Sequence, residues 1–115
     1  MKGVHMSGWY EIHKSTDGQY FFLLKAGNAE VILTSERYQT KAGAQNGIAS
    51  VQANSPLDER YDRKQSTNDK WYFNLKASNF EIIGTSQMYS SAQAREVGIA
   101  SVKANGPTKT IKDFT

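Results

Sequence analysis

The chain has 115 residues, with 14 basic and 11 acidic side chains, a net charge of +3 and no cysteine. That length suits one small domain spanning residues 1–115, and the lack of cysteine excludes disulfides, thiolate nucleophiles and cysteine-based metal sites. Both signs of charge are dispersed, five basic and four acidic groups in residues 1–56 and nine and seven in the remainder, so no basic stripe announces a nucleic-acid protein.

No apolar run reaches the ~18 residues of a membrane span, and the polar, glycine-containing start lacks the pattern of a signal peptide. A soluble, cytoplasmic protein without membrane partners is expected. Met6-Ser7-Gly8 reads as a natural beginning, which would make residues 1–5 an extension. Trp9–Lys14 (WYEIHK) alternates aromatic and β-branched residues with polar ones and predicts a strand. Asp17-Gly18 follows as a hairpin signal, and residues 20–26 (YFFLLKA) predict a second strand.

From residue 18 the chain can be read against a copy of itself. Residues 18–56 align without a gap on residues 69–107 at a constant offset of 51, with eighteen of the 39 pairs identical. An internal repeat defines the structural unit, and two units of this size are expected to share one core. Repeat 1 is placed at residues 9–56 and repeat 2 at residues 60–107. In the second strand, Tyr20/Trp71, Phe22/Phe73, Leu24/Leu75 and Ala26/Ala77 stay apolar at a spacing of two, which marks the inner side of a pleat. Phe21, Leu23 and Lys25, with Tyr72, Asn74 and Lys76, then fall on the other side.

Gly27-Asn28 and Ser78-Asn79 predict turns. Residues 30–34 (EVILT) and 81–85 (EIIGT) predict third strands, too uniformly apolar to reveal their inner side. The period then changes. Ala44, Gly47, Ile48 and Val51, and Gly98, Ile99 and Val102 in the copy, recur at helical spacing. Thr40 and Ser90 or Ser91 are the candidate N-caps, with Gln93 placed to close a capping box on Ser90. Asn54 and Asn105 should end the helices, since Pro56 and Pro107 follow. The paired glycines Gly47 and Gly98 predict a close approach between each helix and the sheet or the other helix. Residues 60–64 (RYDRK) predict a polar edge strand, and residues 109–114 fall where a third copy of that strand would lie.

Chemistry-bearing patterns are sparse. His5 and His13 have no neighbour at metal-ligand spacing, no phosphate loop or dinucleotide fingerprint occurs, and no serine–histidine–acid set assembles. Glu30 and Glu81 form a duplicated acid pair, for which a solvated charge or an ion pair with Lys25 or Lys76 closing the hairpin is the ordinary expectation. Thr34-Ser35 and Thr85-Ser86, each followed by a tyrosine (Tyr38, Tyr89), are expected to satisfy backbone groups at the chain reversal. Aromatics interleaved with lysines in the second strands suit either a small sheet core or stacking of single-stranded nucleic acid.

The run from Lys25 to Tyr38, followed by Asn46-Gly-Ile-Ala-Ser-Val-Gln-Ala-Asn54, and its partner from Lys76 to Tyr89 with Val97-Gly-Ile-Ala-Ser-Val-Lys-Ala-Asn105, resembles the YegP-like family of small uncharacterised proteins. The family pattern often has glycine where Ala29 and Phe80 stand. The resemblance implies an α+β fold in which units of three strands, a helix and a further strand build one sheet, with the last strands exchanged between units. It implies no activity, cofactor or catalytic residue.

The expected architecture is therefore α+β: two tandem β-β-β-α(-β) repeats fused into one antiparallel sheet, two helices on one face, and a C-terminal strand at residues 109–114. The function is unknown from sequence. A non-enzymatic protein-interaction or self-association module is expected, using either the open sheet face, with Phe21, Leu23, Lys25, Tyr72 and Lys76 as the candidate surface, or the helix groove, and no cofactor. Weak nucleic-acid binding through the same face is the alternative.

Overall fold

The computed structural model describes residues 8–115; the readings of residues 1–7, His5 among them, lie outside the described residues. The chain order is β1 (Trp9–Lys14), β2 (Tyr20–Lys25), β3 (Val31–Ser35), α1 (Lys41–Asn54), a 3-10 turn (Asp58–Arg60), β4 (Tyr61–Gln65), β5 (Trp71–Lys76), β6 (Ile82–Thr85), α2 (Ala92–Asn105) and β7 (Ile111–Asp113). All seven strands join one sheet in the order β4-β5-β6-β3-β2-β1-β7. Each half is a meander of three antiparallel strands, and the halves meet where β3 pairs with β6.

The junction locates the symmetry axis. Thr34 stands directly opposite Thr85, which is its own copy at the offset of 51. A residue that faces its duplicate across an antiparallel ladder lies on the two-fold axis. In the helix layer the mates Ser55 and Gly106 also touch, the serine side chain filling the space where a Cβ on Gly106 would stand.

The sheet is mixed rather than wholly antiparallel, which corrects one part of the expectation. β7 runs parallel to β1, with Tyr10 opposite Ile111 and Ile12 opposite Asp113. Symmetry explains the direction. After α1, β4 runs antiparallel to β5 at the far edge of the second half. The two-fold image of that path delivers β7 antiparallel to β2, but β1 already holds that place. β7 therefore adds outside β1 and points the same way.

The helices cover the face bearing Phe22, Leu24, Phe73 and Leu75, each fully buried. Ala44, Ile48 and Val51 of α1 and Ile99 and Val102 of α2 join them in one core. The third strands resolve by a device that alternation cannot show. Register shifts between Leu24 and Lys25 and between Leu75 and Lys76 mark bulges in β3 and β6. Two residues of the bulged strand oppose one of its partner, so Ile32 and Leu33 are both buried, as are Ile83 and Gly84.

Helix ends follow local chemistry. The Thr40 hydroxyl accepts from Gly43 N–H at 2.9 Å and that of Ser91 from Ala94 N–H at 3.0 Å. Ser91, not a Ser90–Gln93 box, is thus the second cap. Asn54 and Asn105 donate back to the Ser50 and Ser101 carbonyls at 2.8 Å. The last carbonyls are held from the sheet: Tyr61 Oη donates to Ser55 O and Tyr10 Oη to Gly106 O, both at 2.6 Å. Burial foremost pushes both phenols' pKa up, with added repulsion from Tyr61 at Tyr10 and from Asp58 at Tyr61.

Candidate functional site

Phe21, Leu23 and Lys25 on β2, and Tyr72 and Lys76 on β5, lie on the helix-free face and are half-buried. β3 and β6 stand between those strands, so the five form two groups rather than one patch. The first group is organised by Glu11, only 7% exposed. Its carboxylate accepts from Trp9 Nε1 at 2.9 Å, lies 2.9 Å from His13 Nε2 and pairs with Lys25 Nζ at 3.4 Å. Burial alone would raise its pKa, but these three partners together hold it lowered.

Further rings build outward from that carboxylate through His13. His13 is stacked between Phe21, with centroids 5.5 Å apart, and Phe114, at 5.0 Å. Arg37 lies 4.6 Å from the Phe21 ring centre and Lys112 Nζ 4.1 Å from that of Trp9. In the second group Asp62 takes the place of Glu11, pairing with Lys76 at 3.2 Å and Lys64 at 3.6 Å. Asn74 replaces Leu23 and is buried, accepting from Thr85 Oγ1 at 2.8 Å. Of the two expectations for Glu30 and Glu81, the solvated charge holds, and the pairing with Lys25 and Lys76 does not. Each lysine instead reaches the acid on the neighbouring strand two positions along, where diagonal side chains meet. Trp9, Glu11, Arg37 and Lys112 were missed by sequence reasoning. Carrying the offset of 51 upstream of residue 18 would have matched Tyr10-Glu11 with Tyr61-Asp62.

The serines of the two Thr-Ser pairs hold backbone groups as expected, whereas Thr85 bonds the Asn74 side chain. Ser35 Oγ accepts from Phe22 N–H at 2.8 Å and donates to Glu36 O at 2.7 Å; Ser86 does the same with Phe73 at 3.0 Å and Gln87 at 2.7 Å. Tyr38 and Tyr89 extend the ladder through reciprocal backbone bonds to Tyr20 and Trp71. Their rings then lie over Gly47 and Gly98, where a Cβ would overlap the phenol oxygens. The close approach marked by those glycines is thus made by a tyrosine of the same repeat, joined at Gly47 by Phe22 of the sheet as expected.

Two clefts lie on the helix side, where sequence reasoning expected a groove without its lining, because each is built from both halves. The first, of about 650 Å³, lies between the β2–β3 hairpin (Asn28, Glu30, Ile32) and α2 with its preceding loop (Tyr89, Gly98, Ser101). The second, of about 250 Å³, lies between the β5–β6 hairpin (Asn79, Glu81, Ile83) and α1 with its loop (Tyr38, Gly47, Ser50). These residues are matched pairs, identical at all six positions, so the clefts are two-fold images. They differ in size and at one wall, where Val97 stands in place of Asn46. Among the described residues no group of three or more histidine, aspartate or glutamate side chains could hold a metal ion, and no helix is long and apolar enough to cross a membrane.

A mixed sheet with a residue and its duplicate on the axis, and twin clefts built across the halves, defines a tandem-repeat α+β protein. Comparison with known proteins agrees. The family described as Domain of unknown function (DUF1508) matches twice, over residues 15–62 and 66–113. Each match runs from the hairpin before β2 or β5 into the strand after the helix. UPF0339 protein YegP of Escherichia coli (strain K12) is 62% identical over 110 residues, covering 96% of this chain and 100% of the relative. A UPF0339 protein of Acinetobacter baylyi is 64% identical over 110 residues, covering 96% and 99%. The solution NMR structure of the E. coli yegP protein, of unknown function, superimposes with a TM-score of 0.92 at 62% identity, over 98% of this chain and 97% of that one. A UPF0339 protein of Shewanella oneidensis gives 0.90 at 64% identity, over 96% and 93%. The chain belongs to the YegP-like UPF0339 family.

Proposed function

We propose that the protein is a non-catalytic interaction module that receives an acidic protein surface on the helix-free face of its first half. The observation that carries this reading is the cluster in which Trp9 and His13 meet one buried carboxylate, Phe21 and Phe114 stack on His13, and Lys25, Arg37 and Lys112 pair with the carboxylate or the rings. Phe114 remains 58% exposed there. Aromatic and arginine anchors at the centre of a patch are the groups that dominate protein interfaces, and the cations outnumber the one acid. The non-catalytic part is supported by what the reactive groups already do. The Ser35 and Ser86 hydroxyls hold backbone, and the His13 ring is stacked on both sides with Nε2 against Glu11. A cytoplasmic setting accords with this reading, since a chain without cysteine loses nothing in a reducing compartment.

Affinity capture with the wild-type chain and with an Arg37→Glu/Phe114→Ser variant tests the idea, with each captured protein then purified and titrated. A partner bound by the wild type and lost by the variant is expected. A wild type that stays monomeric by light scattering and retains nothing the variant does not would overturn it. A second reading, single-stranded nucleic acid on the same face, is favoured by rings and cations sharing one sheet surface. It predicts affinity for oligothymidylate that falls steeply as salt rises; no binding at low salt discards it.

A further inference from the structure

Only two charged positions are identical in the 39 aligned pairs, Lys25/Lys76 and Glu30/Glu81. The lysine has an acid partner in both halves. The glutamate has none: Glu30 and Glu81 are exposed, and neither makes an ion pair or side-chain hydrogen bond among the described residues. The hairpin uses only their backbones. Each N–H donates to the Asn28 or Asn79 side chain at 3.1 Å, and each C=O accepts from Ala26 or Ala77 N–H at 2.9 Å. Any residue other than proline would supply both groups. Each glutamate is also the sole charged group lining its cleft. A carboxylate kept at the same place in both copies of a net-positive chain, with the fold making no use of it, points to a ligand of opposite charge.

The first cleft has the better dimensions. Its volume of about 650 Å³ falls within the range of roughly 300–1,000 Å³ typical of small-molecule sites, whereas the second, at about 250 Å³, falls below it. Val97, 67% exposed, gives it an apolar wall opposite Ile32. Glu30 and the Tyr89 ring line the same cleft; burial first raises the pKa of that phenol, against a lowering bond from Gln87, and the charge of Glu30 adds to the rise.

We propose that the first cleft binds a small organic cation, a primary ammonium on an apolar body, with the ammonium on Glu30 and the apolar part against Ile32 and Val97. The ring of Tyr89 adds a face that attracts a cation. Full-length ¹⁵N-labelled protein titrated with hexylammonium, hexanol and hexanoate tests this by NMR. Saturable shifts confined to Asn28, Glu30, Gln87, Tyr89 and Val97 are expected with hexylammonium alone. Glu30→Gln should weaken them by about tenfold, the value of one charge-assisted contact, with an unchanged melting temperature, while Glu81→Gln leaves them unaltered. Equal response to hexanol or hexanoate, an unaffected Glu30→Gln variant, or no saturable shift would overturn the site. Binding of a lysine-bearing peptide without response to the free amine would overturn its assignment to a small ligand.

Discussion

Phe80 holds a left-handed backbone, φ 71°, with its side chain 80% exposed. Ala29, its mate, sits at φ 70°. The turn requires that conformation because Asn79 Oδ1 takes the Glu81 N–H while Ala77 and Glu81 close the hairpin. Residues with a Cβ resist this region by roughly 1–2 kcal/mol, and glycine returns part of that gain as unfolded-chain entropy. Phe80→Gly is therefore expected to stabilise the protein by about 0.5–1 kcal/mol, read as a higher urea midpoint with an unchanged slope. Ser55 is the converse case at the residue scale: its hydroxyl is fully buried without a partner, and its mate is Gly106. The sequence marked the turn but not its handedness, because Asn-Ala and Asn-Phe are both compatible with several turn types.

Among the elements, the helices show how a repeat can be retained for unequal reasons. A Cβ at Gly47 would overlap Tyr38 Oη and stand 2.8 Å from Phe22, a fully buried ring. At Gly98 the three nearest atoms all belong to the half-buried Tyr89, and no core ring is among them. Alanine gains about 1 kcal/mol of helix propensity at either site, and overpacking costs typically 1–3 kcal/mol. Gly47→Ala is expected to lower stability by about 1–2 kcal/mol and Gly98→Ala by less, measured side by side by thermal unfolding. Equal losses would show that the tyrosine rather than the core ring sets the cost. The glycines were legible as points of close approach. Their contact was not, since a tyrosine nine residues earlier, in an irregular segment, carries no periodic signal.

Acid acts on the molecule as a whole. Glu11 is held low by its three partners against burial, while Glu96 is held low chiefly by Arg63, Asp58 by Lys103 and Asp113 by Lys41. A carboxylate whose folded pKa lies below its unfolded value of about 4 contributes stability that is complete above that value. The contribution is lost as pH falls through the lowered folded value. Stability should therefore decline on acidification below about pH 4–5. Glu11→Gln is expected to cost about 1–3 kcal/mol at pH 7, because Lys25 loses its partner on a largely covered face. The same variant should show a shallower decline in acid. Denaturation midpoints across pH 2–7 read both effects, and an unchanged acid limb would show that Glu11 is not among the groups responsible.

The amino-acid sequence alone determined the duplication, the α+β class, the buried faces of β2 and β5 and the helix stops at Asn54 and Asn105. Each is written in short-range spacing or in the offset between copies, which need no knowledge of distant neighbours. Only the tertiary structure decided that β7 lies parallel to β1, that the inner sides of β3 and β6 are set by bulges, and that Lys25 pairs with Glu11. It alone brought Glu30 to Tyr89. The first and last of those outcomes depend on how the two halves turn about the axis through Thr34 and Thr85, which makes neighbours of residues more than fifty positions apart; the bulges and the Lys25–Glu11 pair are set by strand register within a half.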